Sequence, residues 1–177
     1  LKSKYRWMSD EGLAKVTVAQ THEVNDDVML FRFPTKLRFV VDDQVIDHDI
    51  VVSDTEEDFY VALPGQPSIV RFDPEYSVLA DVSFDKSNDL IAAQVKNEDD
   101  MIGRLLACEA LGERATHASV ELLTDRLNND PFYGVRLAAV RALAKHESDE
   151  AIEALRSDWQ SQTDARVRQA VARGMLG

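Results

Sequence analysis

The chain has 177 residues, 45% of them apolar, and carries 32 acidic against 20 basic side chains for a formal net charge of −12. That is enough apolar material for one ordinary or two small packed domains, and the acidity disfavours nucleic acid as a direct ligand, because backbone binding draws on clustered lysine and arginine. A single cysteine, Cys108, excludes an internal disulfide framework and any zinc site built on two or more thiolates. No apolar run is long enough to cross a bilayer, and Leu1 to Arg6 holds no signal-like stretch. The chain does not begin with methionine, so it reads as a piece of a longer protein, expected in the cytoplasm and away from membranes.

The first half has the period of strands. From Val16 to His22 apolar and polar residues mostly alternate, and Leu37, Phe39 and Val41 share one face with Arg38 on the other. After a turn at Asp42-Asp43-Gln44, the residues Ile46, His48, Ile50 and Val52 share a face while Asp47 and Asp49 point away, which predicts a hairpin. Phe59, Val61 and Leu63 alternate again, Pro64-Gly65-Gln66-Pro67 turns the chain, and a further strand starts over Ile69 to Phe72. Short strands at this spacing favour an antiparallel β-sandwich.

The composition changes near residue 96, where prolines and phenylalanines thin out and alanine becomes dense. The second half has helical period and repeats. Arg104-Leu105-Leu106-Ala107-Cys108 lines up with Arg136-Leu137-Ala138-Ala139-Val140 and with Arg168-Gln169-Ala170-Val171-Ala172, both offsets being 32, since 136 minus 104 equals 168 minus 136. Val120, Leu123 and Leu127 fall opposite Ile152, Leu155 and Trp159 at the same offset. Helix pairs at this period form a solenoid. Tetratricopeptide and ankyrin markers are missing, and Asp130-Pro131-Phe132-Tyr133-Gly134-Val135-Arg136 instead resembles short HEAT-like repeats, with Asp130 suited to a helix N-cap and Pro131 to the first helical position. The expected architecture is therefore α+β in two domains, an antiparallel β-sandwich over 1–85 and an α-α superhelix of HEAT-like repeats over 97–177, joined by a linker or docking helix over 86–96.

Chemistry is hard to place. His22-Glu23 and His146-Glu147 both lack the second histidine of a zinc-binding His-Glu-x-x-His helix, which leaves each as a surface or loop histidine. His48 lies between Asp47 and Asp49 and near Asp42 and Asp43, but strand alternation turns it away from its neighbours. Cys108 sits in the small-residue row of the repeat, a packing position. Arg104, Arg136 and Arg168 could form an anion ladder, yet Asp100/Arg104 and Asp164/Arg168 have the spacing of helical ion pairs. No phosphate-cradling or nucleophile-elbow motif occurs. No catalytic, cofactor-binding or metal-ligating residue is expected in this chain.

The order of sandwich then repeats, with the strings Phe31-Arg32-Phe33-Pro34, Leu37-Arg38-Phe39-Val40-Val41, Val61-Ala62-Leu63-Pro64-Gly65-Gln66-Pro67 and Val70-Arg71-Phe72-Asp73-Pro74-Glu75-Tyr76, resembles the C-terminal region of M1-family zinc aminopeptidases. The resemblance extends to their non-catalytic relatives, the TBP-associated factor 2 family. It implies a fragment that links a catalytic domain to a helical wall limiting substrate access, with zinc and all its ligands in the missing upstream domains. It makes that catalytic domain the main partner. A scaffold or adaptor without peptidase activity is the alternative. The helix from Asp164 to Met175 has no second helix after it, so Val167, Val171, Met175 and Leu176 are expected to leave a face open to self-association.

Overall fold

The computed structural model describes residues 1–175 apart from 115 and 161, and leaves the side chain of Asp158 undescribed. The chain divides between Leu90 and Ile91 into two compact units.

The first unit is a β-sandwich. Its strands are β1 (Lys2–Met8), β2 (Leu13–Ala19), β3 (Phe33–Val41), β4 (Gln44–Val52), β5 (Glu56–Ala62), β6 (Ile69–Phe72) and β7 (Ser83–Asp85). One sheet has the order β5-β2-β1-β7 and the other β4-β3-β6. Pairing is antiparallel except between β1 and β7, which run parallel with Lys2 opposite Ser83. The inner faces meet in one core: Ala14, Val16, Val18 and Val61 from the first sheet, Leu37, Phe39, Val41, Ile50, Val52, Val70 and Phe72 from the second. These are the alternate residues that the period-two pattern selects.

The β3–β4 hairpin closes through a two-residue turn, Asp42 and Asp43, both with positive φ. Two left-handed residues match the twist of the flanking strands, and aspartate tolerates that conformation better than most side chains. The inward face of β4 fades along its length: Val52 and Ile50 are buried, Ile46 is half-buried and His48 is exposed. Being the edge of its sheet, β4 has cover at one end only.

The strand bonded by Phe72 ends in a built turn. Asp73, itself left-handed, accepts hydrogen bonds at Oδ1 from the Ser77 amide and hydroxyl (2.9 and 2.6 Å) and from Thr35 Oγ1 (3.1 Å), and at Oδ2 from the Val78 amide (2.8 Å). Burial alone would push its carboxyl up, but these donors together outweigh it and hold it below the usual carboxylate range.

The second unit stacks helices. Helix α1 (Asn88–Lys96) enters it, and α2 (Met101–Gly112), α3 (His117–Asn129), α4 (Tyr133–His146), α5 (Asp149–Asp158) and α6 (Ala165–Gly174) follow. Side chains cap four of them: Asp100 accepts from the Gly103 amide, Thr116 from Ser119, Ser148 from Ala151 and Asp164 from Arg166. Ile91 and Val95 of α1 join the core of Cys108, Leu111, Leu123, Leu127, Val140, Leu143, Leu155, Val167 and Val171. The first-type helices α2 and α4 approach closely at Gly112, where a Cβ would lie 3.0 Å from that of Ala142.

The expectation at the C-terminal helix is corrected in part. Val167 and Val171 are wholly buried and Met175 packs against the same core, so their stripe is spent inside the unit. Leu176 lies outside the described residues.

Candidate functional site

The arginine row is structural. Arg104 Nη1 donates to the carbonyls of Asn97 (3.0 Å) and Glu98 (2.6 Å), Arg136 Nη1 to those of Asp130 (2.6 Å) and Pro131 (3.3 Å), and Arg168 Nη1 to those of Gln162 (2.8 Å) and Thr163 (2.9 Å). Each repeat thus uses one guanidinium to hold the loop that enters it, satisfying carbonyls that a helix start would otherwise leave to water. The expected helical pairing of Asp100 with Arg104 gives way to this. Asp100 caps α2, and Arg104 Nε donates to Asp130 Oδ2 at 2.6 Å instead.

Asp130 is the centre of the helical unit. It is 2% exposed, is held by Arg104, lies 3.6 Å from Arg126 Nη1, and accepts from the Phe132 amide at 2.9 Å. The expected N-cap is therefore corrected: α4 starts at Tyr133, two residues later than Pro131 suggests, and the carboxylate is turned toward α2 and α3. One frame further, Gln162 holds the same place, buried and donating to the Leu127 carbonyl at 3.2 Å. Gln94 does similar work, donating to the Gly103 carbonyl at 2.7 Å. Neither glutamine carries a sequence signal, since its partner is a backbone oxygen of another element.

The histidines do not converge. His22 Nε2 contacts the Met29 carbonyl at 3.2 Å and its ring lies against Phe31. His48 is exposed on the edge strand, while its neighbour Asp47 makes a two-pronged pair with Arg38, both bonds 2.7 Å, which holds that carboxyl below its usual range. His146 corrects the surface reading: it is buried, with Nε2 3.0 Å from the Leu111 carbonyl at the end of α2. The exposed His117 stands between Glu150 (2.6 Å) and Glu121 (3.5 Å). Cys108 is fully buried, and burial, reinforced by the charge of Asp130, pushes its thiol up to about 12, far from a reactive thiolate. Among the described residues no group of three histidine, cysteine or carboxylate side chains could hold a metal ion.

The sandwich carries a cleft of about 460 Å³ lined by Leu1, Gln20, His22, Phe31, Phe33 and Leu79, among others. Gln20 shapes it: its amide donates to the Phe31 and Asp54 carbonyls (2.7 and 3.2 Å) and accepts from the Phe31 amide (3.1 Å), pinning the segment that presents Phe31. This lining is mostly apolar and, among the described residues, holds no convergent acid, base or nucleophile.

A model of HEAT repeats matches residues 78–175, more than half of the chain. The chain belongs to the HEAT-repeat family. This HEAT-repeat protein is similar over 77 residues to transcription initiation factor TFIID subunit 2 of Gallus gallus, at 39% identity over 43% of this chain and 7% of that protein. The corresponding subunit of Danio rerio is 36% identical over 77 residues, again 43% of this chain and 6% of its own length. The chain thus spans under a tenth of these relatives. Among solved structures it is similar to Legionella pneumophila aminopeptidase A in complex with aspartic acid, with a TM-score of 0.55 and 12% identity, over 98% of this chain and 26% of that one. The resemblance to the C-terminal region of M1 aminopeptidases and TBP-associated factor 2 is borne out, as a likeness of fold to the first and of sequence to the second.

Proposed function

We propose that the chain is the non-catalytic C-terminal part of a larger metallo-aminopeptidase-like protein, in which the sandwich joins a preceding catalytic domain and the repeats form a wall that limits substrate access. The observation that carries this reading is the match to aminopeptidase A across 98% of the chain, which spans the sandwich and the repeats in one order. On this reading the zinc and its ligands lie in the preceding domain; among the described residues no group of three histidine, cysteine or carboxylate side chains could hold a metal ion. Self-association through α6 would leave out Val167 and Val171, which are buried.

A second reading, a scaffold or adaptor without peptidase activity, is favoured by the 39% identity to a TFIID subunit. Expression of the longer polypeptide separates the two. On the first reading it holds one zinc per chain and cleaves amino-acid anilides, and removal of residues 97–177 speeds cleavage of long peptides while leaving small anilides unchanged. A longer polypeptide with neither zinc nor activity overturns the enzyme reading and supports the adaptor.

A further inference from the structure

β4 runs for nine residues at the outer edge of the sheet β4-β3-β6. The direction of its main-chain groups follows from β3. The Lys36 and Val40 carbonyls accept from the Asp73 and Ser68 amides on the β6 side, at 2.9 and 2.8 Å, and successive residues of a strand turn their N–H and C=O to opposite sides. Thr35, Leu37, Phe39 and Val41 therefore bond β4, where they stand opposite Ile50, His48, Ile46 and Gln44. That leaves Val45, Asp47, Asp49 and Val51 with their N–H and C=O directed away from the sheet, and no described residue bonds them there. β4 lies well inside the chain, between β3 and β5, so this open edge belongs to the sandwich itself.

We propose that this edge takes up an extended segment of a separate protein as an added antiparallel strand, with a lysine or arginine opposite Asp49. The unbonded main-chain groups give the mode. Charge gives the chemistry. Asp47 is already paired with Arg38 through two hydrogen bonds. Asp49 is not: it stands across from Lys36, whose ammonium is bonded to Glu75 at 2.7 Å and reaches Asp49 only through its field. A cation on the added strand therefore meets a carboxylate that has no ion-pair partner among the described residues. Side-chain cover completes the pattern. Val45 and Val51 are 61% and 39% exposed on the outer face, and on the inner face Ile46 is half-buried and His48 exposed, so the segment carries apolar residues beside Val45, Val51 and Ile46. The carboxylates also oppose a second copy as occupant. Antiparallel self-pairing over three or four of the edge residues always sets Asp47 against Asp47, Asp49 against Asp49, or Asp47 against Asp49. The inference concerns the sandwich alone and rests on neither functional reading.

The test uses the whole chain, isotope-labelled for amide hydrogen exchange read by magnetic resonance. The probes are synthetic peptides of about nine residues, with valines facing Val45 and Val51, leucine beside Ile46 and lysine facing Asp49. A twin carries glutamate for that lysine, and a third peptide keeps the lysine but is N-methylated at the residues facing Asp47 and Asp49. In the free chain the Val45, Asp47, Asp49 and Val51 amides are expected to exchange freely while those of Ile46, His48 and Ile50 are protected. The lysine peptide slows the first set at least about tenfold and binds about fivefold more tightly than its glutamate twin. N-methylation weakens binding at least about tenfold. Asp49→Lys, at an exposed position, inverts the lysine–glutamate preference, and far-ultraviolet dichroism checks that the variant folds. Binding undiminished by N-methylation would show mere attraction of a cation to an acidic protein and overturn the proposal. So would a dimer in sedimentation experiments whose edge amides are already protected, or a longer natural form in which the same four amides exchange slowly without any peptide.

Discussion

Arg104 and Asp130, 26 positions apart in the chain, meet at 2.6 Å with side chains 3% and 0% exposed. A buried pair of this kind gains its attraction only against the cost of stripping water from both ions, so its net contribution is small while it is whole and large when one partner is lost.

Asp130→Ala is accordingly expected to destabilise the helical unit by about 3–5 kcal/mol, leaving Arg104 buried and only partly compensated by the carbonyls of Asn97 and Glu98. The double replacement Arg104→Met with Asp130→Leu costs much less than the sum of the single ones. Urea unfolding followed by far-ultraviolet dichroism measures both, and simple additivity would contradict the pairing.

Gly112→Ala tests the approach of α2 to α4. Alanine is the better helix former by roughly 1 kcal/mol, so an isolated helix would gain. Here the added methyl meets the Cβ and Cα of Ala142 at 3.0 and 3.1 Å, and overpacking of this sort costs about 1–3 kcal/mol. A lowered melting temperature is expected, and a raised one would show that the helices part freely.

Asp73 sets a pH dependence for the sandwich. Its carboxyl lies below the usual range when folded, so the stabilisation it gives is present above the unfolded value of about 3.9 and is lost as pH falls through the folded one. Asp73→Asn keeps a side chain suited to positive φ but weakens the acceptors for Ser77, Val78 and Thr35. The variant should lose about 1–3 kcal/mol at neutral pH and show a flatter decline of stability in acid, read from unfolding at a series of pH values.

Tyr5 and Ser3 on β1 each bury a hydroxyl oxygen that has no hydrogen-bond partner among the described residues. Burial pushes the Tyr5 phenol up to about 12. Tyr5→Phe removes an unsatisfied oxygen and keeps the ring, so stability should be unchanged or rise by up to about 1 kcal/mol. A loss of several kcal/mol would mean that the hydroxyl has a partner, such as a bound water.

The legible parts of this chain are those that local pattern dictates. The β3–β4 hairpin could be read because Leu37, Phe39 and Val41 fall on one face, Lys36 and Arg38 on the other, and two aspartates follow. The repeat could be read because its arginines recur at a fixed offset. β1 was hard to read although exposed Lys2, Lys4 and Arg6 alternate with Ser3, Tyr5 and Trp7: its most buried inward position is the polar Ser3, which leaves only two aromatic residues to mark the face. β7 has three residues and takes its place from pairing with β1. The partners of Asp130, Gln94, Gln162 and His146 were invisible for a common reason. Each is supplied by another element, and three of the four contacts involve a backbone carbonyl that every residue possesses.

That last point bears on the arginine clamps. A guanidinium that grips main-chain oxygens is indifferent to the letters of the loop it grips, so Asn97-Glu98, Asp130-Pro131 and Gln162-Thr163 can differ completely while the hinge between layers keeps its geometry. The clamp itself leaves the letters of the loop free, except where a loop side chain has its own buried partner, as Asp130 has in Arg104 and Gln162 in the Leu127 carbonyl.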